Sequence, residues 1–289
     1  RHEQYPGLGN AVPERLTRMD IQHIKELGCN FLRTCHYSQH PHLYELCDEY
    51  GLLVWDEIPA WKTSLESLSS DPVWQADGAP QLRELVKQNR NRTCVVMWSV
   101  GNEFNSDKPG VGAFVERAAD HVRALDSTRL VTFASDKHRP GKMDLGFQHV
   151  DVVAVNEYYG WYYGTIHDVD DMLRRLHRAH PDKPILVSEV GCGTVPGLHT
   201  PNPPNSGQIY SEEYQVQFLQ THLQQIYAPE HAEYVAGAIM WVYADFKDPH
   251  RYSNAHPAAA LFQNSKGLVT QERQPKPGFE VVKRFFATH

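Results

Sequence analysis

The sequence predicts an α/β protein, and within that class a (β/α)8 barrel of the TIM type rather than an open sheet. Three observations carry this. Short runs that are apolar throughout alternate with segments of helical period, the pattern of parallel strands covered by helices on both faces. Polar residues cluster at the carboxyl ends of those runs: Arg33/His36, Asp56/Glu57, Asn102/Glu103, Asn156/Tyr158, Glu189 and Trp241/Asp245. In barrel enzymes that rim carries the active site. No glycine-rich phosphate loop follows the first run, which removes the main signature of a dinucleotide-binding open sheet.

The elements follow in order. Pro13 suits the first turn of a helix, Leu16, Met19, Ile21, Ile24 and Leu27 recur at helical spacing, and Gly28 stops it. Residues 30–37 read as a buried strand, 42–50 as a helix ended by Gly51, and 52–57 as a strand closed by Pro59. The alternation continues with helix 81–91, strand 94–100, helix 111–125, strand 130–134, strand 150–156, helix 169–179, strand 184–189, helix 212–227, strand 234–241 and a closing helix at 279–286. The Pro/Asn/Gly-rich stretch 195–207 reads as a long loop. There are no repeats, and residues 1–289 read as one domain.

Composition excludes several classes. The chain is 41% hydrophobic and 11% aromatic, too apolar for intrinsic disorder. It has no run of about 18 apolar residues for a membrane-spanning helix. Its net charge of −7 argues against nonspecific nucleic-acid binding. The cysteines Cys29, Cys35, Cys47, Cys94 and Cys192 are odd in number with no C-x-x-C pair, so buried free thiols are expected and a reducing compartment is slightly favoured. No cofactor motif is found. His36, His40, His42 and Asp56 offer metal-ligand chemistry, but Pro41 separates the His40/His42 pair at a helix start, so no metal is expected. Nothing identifies an oligomer interface.

Two carboxylates stand out. Glu103 and Glu189 each end a strongly apolar strand. Burial at such a strand end, and a second carboxylate nearby, raise one carboxyl pKa while its neighbour stays ionised. Two acids facing one pocket are what glycoside hydrolysis needs. Asn102 precedes Glu103 and can offer an amide to a sugar hydroxyl, while Tyr158, Trp161, Tyr162 and Trp241 supply flat faces and phenols near the same rim. A non-catalytic carbohydrate-binding barrel is the alternative from a different class.

The segments Arg33-Thr-Cys-His-Tyr37, Leu53-Val-Trp-Asp-Glu57, Val96-Met-Trp-Ser-Val-Gly-Asn-Glu103 and Val187-Ser-Glu-Val-Gly191 resemble the catalytic barrel of glycoside hydrolase family 2, which holds β-galactosidases, β-glucuronidases and β-mannosidases. The resemblance implies that Glu103 is the general acid/base and Glu189 the nucleophile of a retaining β-glycosidase, with His36 in the substrate site. It leans towards β-glucuronidases. Asn156-Glu-Tyr-Tyr-Gly-Trp-Tyr162 resembles their substrate loop, and Asn264-Ser-Lys-Gly267 matches the motif in which Asn264 and Lys266 would hold the glucuronate carboxylate. The partner it implies is a β-glycoside, most naturally a β-D-glucuronide, with β-galactoside or β-mannoside as alternatives. Two positions depart from the pattern: Val242 stands where Asn is usual, and Ala260 where Arg is often found. The family fold further implies that the seven strands are the second to eighth of the barrel, that Arg1-His2-Glu3 is the tail of the first, and that upstream β-sandwich domains belong to a longer polypeptide.

Overall fold

The computed structural model describes residue 2 and residues 4–61, 70–105, 110–142, 144–249, 251 and 256–288. Seven strands form one parallel sheet in chain order: β1 Phe31–Arg33, β2 Leu53–Glu57, β3 Val95–Asn102, β4 Leu130–Ser135, β5 Val153–Asn156, β6 Ile185–Val190 and β7 Val235–Met240. Helices α1 Glu14–Glu26, α2 Pro41–Tyr50, α3 Ala79–Asn89, α4 Val111–Leu125, α5 Val169–Ala179, α6 Glu212–Ile226 and α7 Pro277–Phe286 accompany it. The sheet curls until β1 and β7 contact each other without pairing, so the molecule is a nearly closed barrel. The His2 ring lies over that seam, with centroids 5.8 Å from His36 beyond β1 and 5.4 Å from Trp241 beyond β7. Arg1 and Glu3, assigned with it to the tail of a first strand, lie outside the described residues. A two-stranded antiparallel ribbon, β8 Phe246–Lys247 and β9 Gln263–Asn264, stands beyond β7.

Local chemistry accounts for the helix ends. Pro41 opens α2, the His40 ring accepts from the His42 amide at 3.2 Å, and Gly51 at φ 66° ends the helix in the left-handed conformation. Ser211 caps α6 by accepting from the Tyr214 amide, and Glu212 and Glu213 occupy its first turn, where the helix dipole favours negative charge. Thus His40 serves as a helix cap, and Asp56 is taken up by Thr34, Tyr44 and Asn89. Among the described residues no group of three His, Cys, Asp or Glu could hold a metal ion. The five cysteines are all free.

Apart from β7 the strands are largely buried on both faces, but the two faces differ. Trp55, Met97, Ala134, Ala154 and Leu186 form one cluster, with Phe31 and Ile239 packed against it, so every strand contributes to the barrel interior. The residues between them, such as Leu32, Val54, Trp98, Val153 and Val187, pack towards the helices. Burying each large side chain contributes about 1.5–3 kcal/mol. Two positions further along five of these seven inward columns the chemistry is polar and buried: Arg33, Glu57, Ser99, Asn156 and Ser188. The period of two therefore sets an apolar plug below a polar layer.

Several expected boundaries shift. The strand expected over 30–37 is confined to Phe31–Arg33, because the chain then turns, with a cis peptide between Cys35 and His36, and brings His36 over the barrel mouth. Strand β5 starts at Val153 rather than residue 150, since Phe147–His149 forms a short 3-10 turn leading into it. Helix α3 starts at Ala79 behind a π turn, Trp74–Gly78. Strand β7 was expected to be covered throughout, yet most of it is only half-buried, because it forms one edge of the sheet.

The ends of β6 and β7 meet closely. A Cβ on Gly191 would sit 2.0 Å from the Trp241 carbonyl oxygen, so only glycine lets the two chains pass there. Gly191→Ala should cost about 1–3 kcal/mol, as overpacking does. In a domain of this size that should lower the midpoint of thermal unfolding by several degrees, read by calorimetry.

Candidate active site

A cavity of about 360 Å3 opens at the carboxyl ends of the strands. Its lining includes His36, Glu103, Tyr158, Tyr162, Glu189, Trp241, Asn264 and Lys266, eight of the ten residues singled out from sequence. Asn102 and Trp161 are buried just behind the wall. A larger groove, about 620 Å3, runs along the outside of α6, away from the carboxyl ends of the strands, and its acids are Glu212 and Glu213. Glu213 there is held by His199 and the Thr200 amide.

Glu189 follows Ser188 at the end of β6, where the register with β5 and β7 shifts. Its Oε1 accepts from Arg33 Nη1 at 2.8 Å and its Oε2 from the Tyr158 hydroxyl at 2.5 Å. Burial pushes its carboxyl up, and the charge of Glu103 adds to the rise, while Arg33, His36 and the Tyr158 hydroxyl oppose it. Glu103 therefore acts on Glu189 electrostatically across the same cavity. The Tyr158 phenol, driven well above its ordinary range by burial and by the Glu189 charge, stays protonated and donates.

Glu103 leaves the end of β3 with φ 52°, an uncommon conformation for a side chain other than glycine. Its amide donates to the Ala134 carbonyl at 2.8 Å, and Asn156 Nδ2 donates to its Oε1 at 3.1 Å. Two residues earlier Gly101 adopts φ 143°, where a Cβ would lie 2.6 Å from the Ala60 carbonyl. The backbone bends at Gly101 and Glu103 so that the carboxylate reaches the cavity. Asn102 accepts from Arg33 at 2.7 Å and from Asn156 at 3.0 Å through Oδ1. Among the described residues its Nδ2 has no hydrogen-bond partner, a buried donor of the kind a ligand hydroxyl would satisfy.

Arg33 and Glu57 form the floor. Arg33 donates to both Glu57 oxygens at 2.9–3.1 Å and lies 4.8 Å over the Trp55 ring. Burial works against the Arg33 charge, but Glu57 and Glu189 outweigh it and raise its pKa. Burial likewise opposes ionisation of Glu57, yet Arg33 and His36 hold its carboxyl below the usual range. His36 Nδ1 lies 2.8 Å from Glu57, and its ring stacks at 5.3 Å from Trp241 and 6.1 Å from Trp61. Neither Arg33 nor Glu57 was singled out from sequence beyond its place at a strand end. The available signal was a charged residue two positions beyond an aromatic in a buried strand. Trp61 was also missed.

The opposite wall comes from beyond β7. Asn264 Oδ1 accepts from the Lys266 amide at 3.2 Å, and the Gly267 amide donates to Asp245 at 2.8 Å. A Cβ on Gly267 would lie 2.3 Å from the Asp245 amide nitrogen. This is the physical content of Asn-x-Lys-Gly: the asparagine staples the turn, the glycine fits against Asp245, and the lysine points inward. Lys266 is 3% exposed, and burial lowers its pKa. Its Nζ donates to the Tyr162 hydroxyl at 2.8 Å and lies 5.0–5.7 Å from the Tyr158, Trp161 and Tyr162 rings. Trp161 thus backs the lysine rather than facing the cavity. Ala260 brings no charge to this wall, but Arg251 does, donating to the same Tyr162 hydroxyl at 3.3 Å. Burial opposes ionisation of Tyr162, but Lys266 and Arg251 bring its pKa down to about 8.

The family model described as "Glycosyl hydrolases family 2, TIM barrel domain" matches residues 1–288, and the chain belongs to that family. The mouse protein named beta-glucuronidase is 34% identical over 98% of this chain and 42% of its own length. The pig beta-glucuronidase is 35% identical over 96% of this chain and 41% of its own length. The chain therefore spans about two-fifths of these relatives. Among solved structures, a GH2 beta-galacturonidase from Eisenbergiella tayi, bound to galacturonate, superposes with a TM-score of 0.88 at 30% identity, covering 100% of this chain and 50% of that one. A Parabacteroides merdae beta-glucuronidase gives 0.85 at 28% identity, covering 99% and 36%.

The lowered Tyr162 pKa is directly measurable. An ultraviolet difference titration should show one tyrosine ionising near pH 8, and Tyr162→Phe should remove that step. Persistence of the step in the variant would assign it to another residue.

Proposed function

We propose that this chain is the catalytic barrel of a longer glycoside hydrolase that cleaves β-D-hexuronides, β-glucuronides foremost, with retention of anomeric configuration. The observation that carries the reading is the pair Glu103 and Glu189 in one cavity, with a buried ammonium, Lys266, on the opposite wall.

In this reading Glu189 is the nucleophile. Arg33 and Tyr158 fix both its oxygens and favour its charged form, so it meets the anomeric carbon as an oriented carboxylate. Glu103 first protonates the leaving oxygen and then takes the proton of the incoming water, which requires it to exchange protons with the open cavity. Asn102, with its free amide donor, suits the hydroxyl next to the reacting carbon. His36 and Trp241 supply flat faces for the sugar ring. Lys266 reads the carboxylate at the far end of the sugar, because a buried cation discriminates strongly between a carboxylate and a neutral hydroxymethyl group. The similarity to beta-glucuronidases and to a beta-galacturonidase supports the uronide class, since both sugars carry that carboxylate.

The deciding experiment is a screen of the full-length protein against aryl β-glucuronide, β-galacturonide, β-galactoside and β-mannoside. Cleavage of neutral glycosides alone would reject the uronide reading. Glu189→Gly should abolish turnover, with partial rescue by azide, and near-normal turnover in that variant would remove it as nucleophile. Glu103→Ala should slow substrates with poor leaving groups by about 10²–10⁴-fold and activated aryl glycosides much less. Lys266→Ala should weaken kcat/KM on aryl uronides by about 10–100-fold relative to aryl galactosides, the value of one charge-assisted hydrogen bond.

A further inference from the structure

We propose that Arg251 is a second determinant of uronate specificity, forming with Lys266 a two-cation receptor for the sugar carboxylate, with Tyr162 bridging the two. The inference rests on the hexuronide reading above and names a residue that neither the sequence pattern nor the motif at 264–267 points to.

Arg251 lines the same cavity as Glu103 and Glu189. It lies after β8, where its amide donates to the Asp248 carbonyl at 3.0 Å and its carbonyl accepts from the Phe262 amide at 2.6 Å. Those backbone bonds bring the side chain to the wall from which Lys266 projects. Arg251 Nη2 and Lys266 Nζ both donate to one phenol oxygen, that of Tyr162. Two like charges converging on one neutral oxygen repel each other, and that repulsion is relieved when an anion enters between them. The carboxylate of Asp248 lies 3.5 Å from Arg251 Nε, and among the described residues Nε is a buried donor without a hydrogen bond. Asp248 and the Tyr210 hydroxyl therefore orient the guanidinium and leave its Nε edge available. A guanidinium presents a planar fork and an ammonium a point charge, so together they can serve both oxygens of one carboxylate.

Position also argues for a uronate. The two cations and the two acids line one opening, but the cations converge on the Tyr162 hydroxyl while Glu189 is held by Arg33 and Tyr158. A small free anion would be repelled by Glu103 and Glu189. A hexuronate carries its carboxylate on C5, separated from the anomeric carbon by the ring oxygen, and so holds its charge apart from the bond that the two acids would flank.

The test uses the full-length protein, its Arg251→Gln and Arg251→Lys variants, aryl β-glucuronide against aryl β-galactoside, and calorimetric binding of D-glucuronate against D-glucose. Arg251→Gln should raise KM for the uronide about 10–100-fold while changing kcat only a few-fold. Arg251→Lys should recover part of the loss, and KM for the neutral glycoside should stay level or fall. D-glucuronate binding should weaken in Arg251→Gln, with D-glucose unaffected. An unchanged uronide KM, or equal losses on both substrates, would overturn the proposal, the second because it would mark a purely structural role. If the wild type cleaves neutral glycosides only, the hexuronide reading falls by itself. The calorimetry then still decides the receptor: glucuronate binding that is absent, or insensitive to Arg251, rejects it.

Discussion

One buried guanidinium organises the centre of this barrel. Arg33, at the end of a three-residue strand, reaches Glu57 on β2, Asn102 on β3, and Glu189 with the Ser188 carbonyl on β6. Taking such a charge out of water is costly, and only well-placed partners offset the cost. Here they come from strands distant in sequence, so the charge is satisfied only when the barrel has closed around it. Losing one partner would strand the rest, at a cost of the order of 3–5 kcal/mol. Folding and preparation of the carboxylate pair are thus coupled through one residue. The apolar plug of Trp55, Met97, Ala134, Ala154 and Leu186 beneath it keeps water from below.

The two sides of the cavity are built differently. Glu57, Glu103 and Glu189 sit at the ends of strands whose neighbours pair with them on both sides, so their positions are as rigid as the sheet. Lys266, Asn264, Arg251 and Tyr162 stand on segments after β5 and beyond β7, held by a two-strand ribbon, turn hydrogen bonds and a glycine fit. Groups that would do chemistry are on the scaffold, and groups that would choose the substrate are on connections. A family can vary the second set without disturbing the first.

This division also explains what was legible in the chain. The alternation of apolar strands and helices and the acids at strand ends were plain, because burial on both faces leaves continuous apolar runs that stop abruptly at polar residues. Asn-x-Lys-Gly at 264–267 was legible only through its resemblance to a family motif, and the structure shows the close fit that holds Gly267 there. Arg33 and Glu57 were visible only as rim residues. Nothing local tells an ion-paired floor from a solvated rim, since their partners lie 24 to 156 positions apart. Arg251 lay in a stretch rich in Pro, His and Ala without period, and its place in the wall follows from backbone bonds to Asp248 and Phe262.

By itself, then, the sequence determined the class of fold, the order of its elements and the presence of two acids at the ends of apolar strands, because hydrophobic period and backbone geometry act over a few residues. Only the tertiary structure decided which faces of the strands turn inward, which charges neutralise each other, and that Trp161 stands behind Lys266 while Arg251 stands beside it. Those outcomes depend on electrostatics and packing between strands and loops that become neighbours only when the barrel curls.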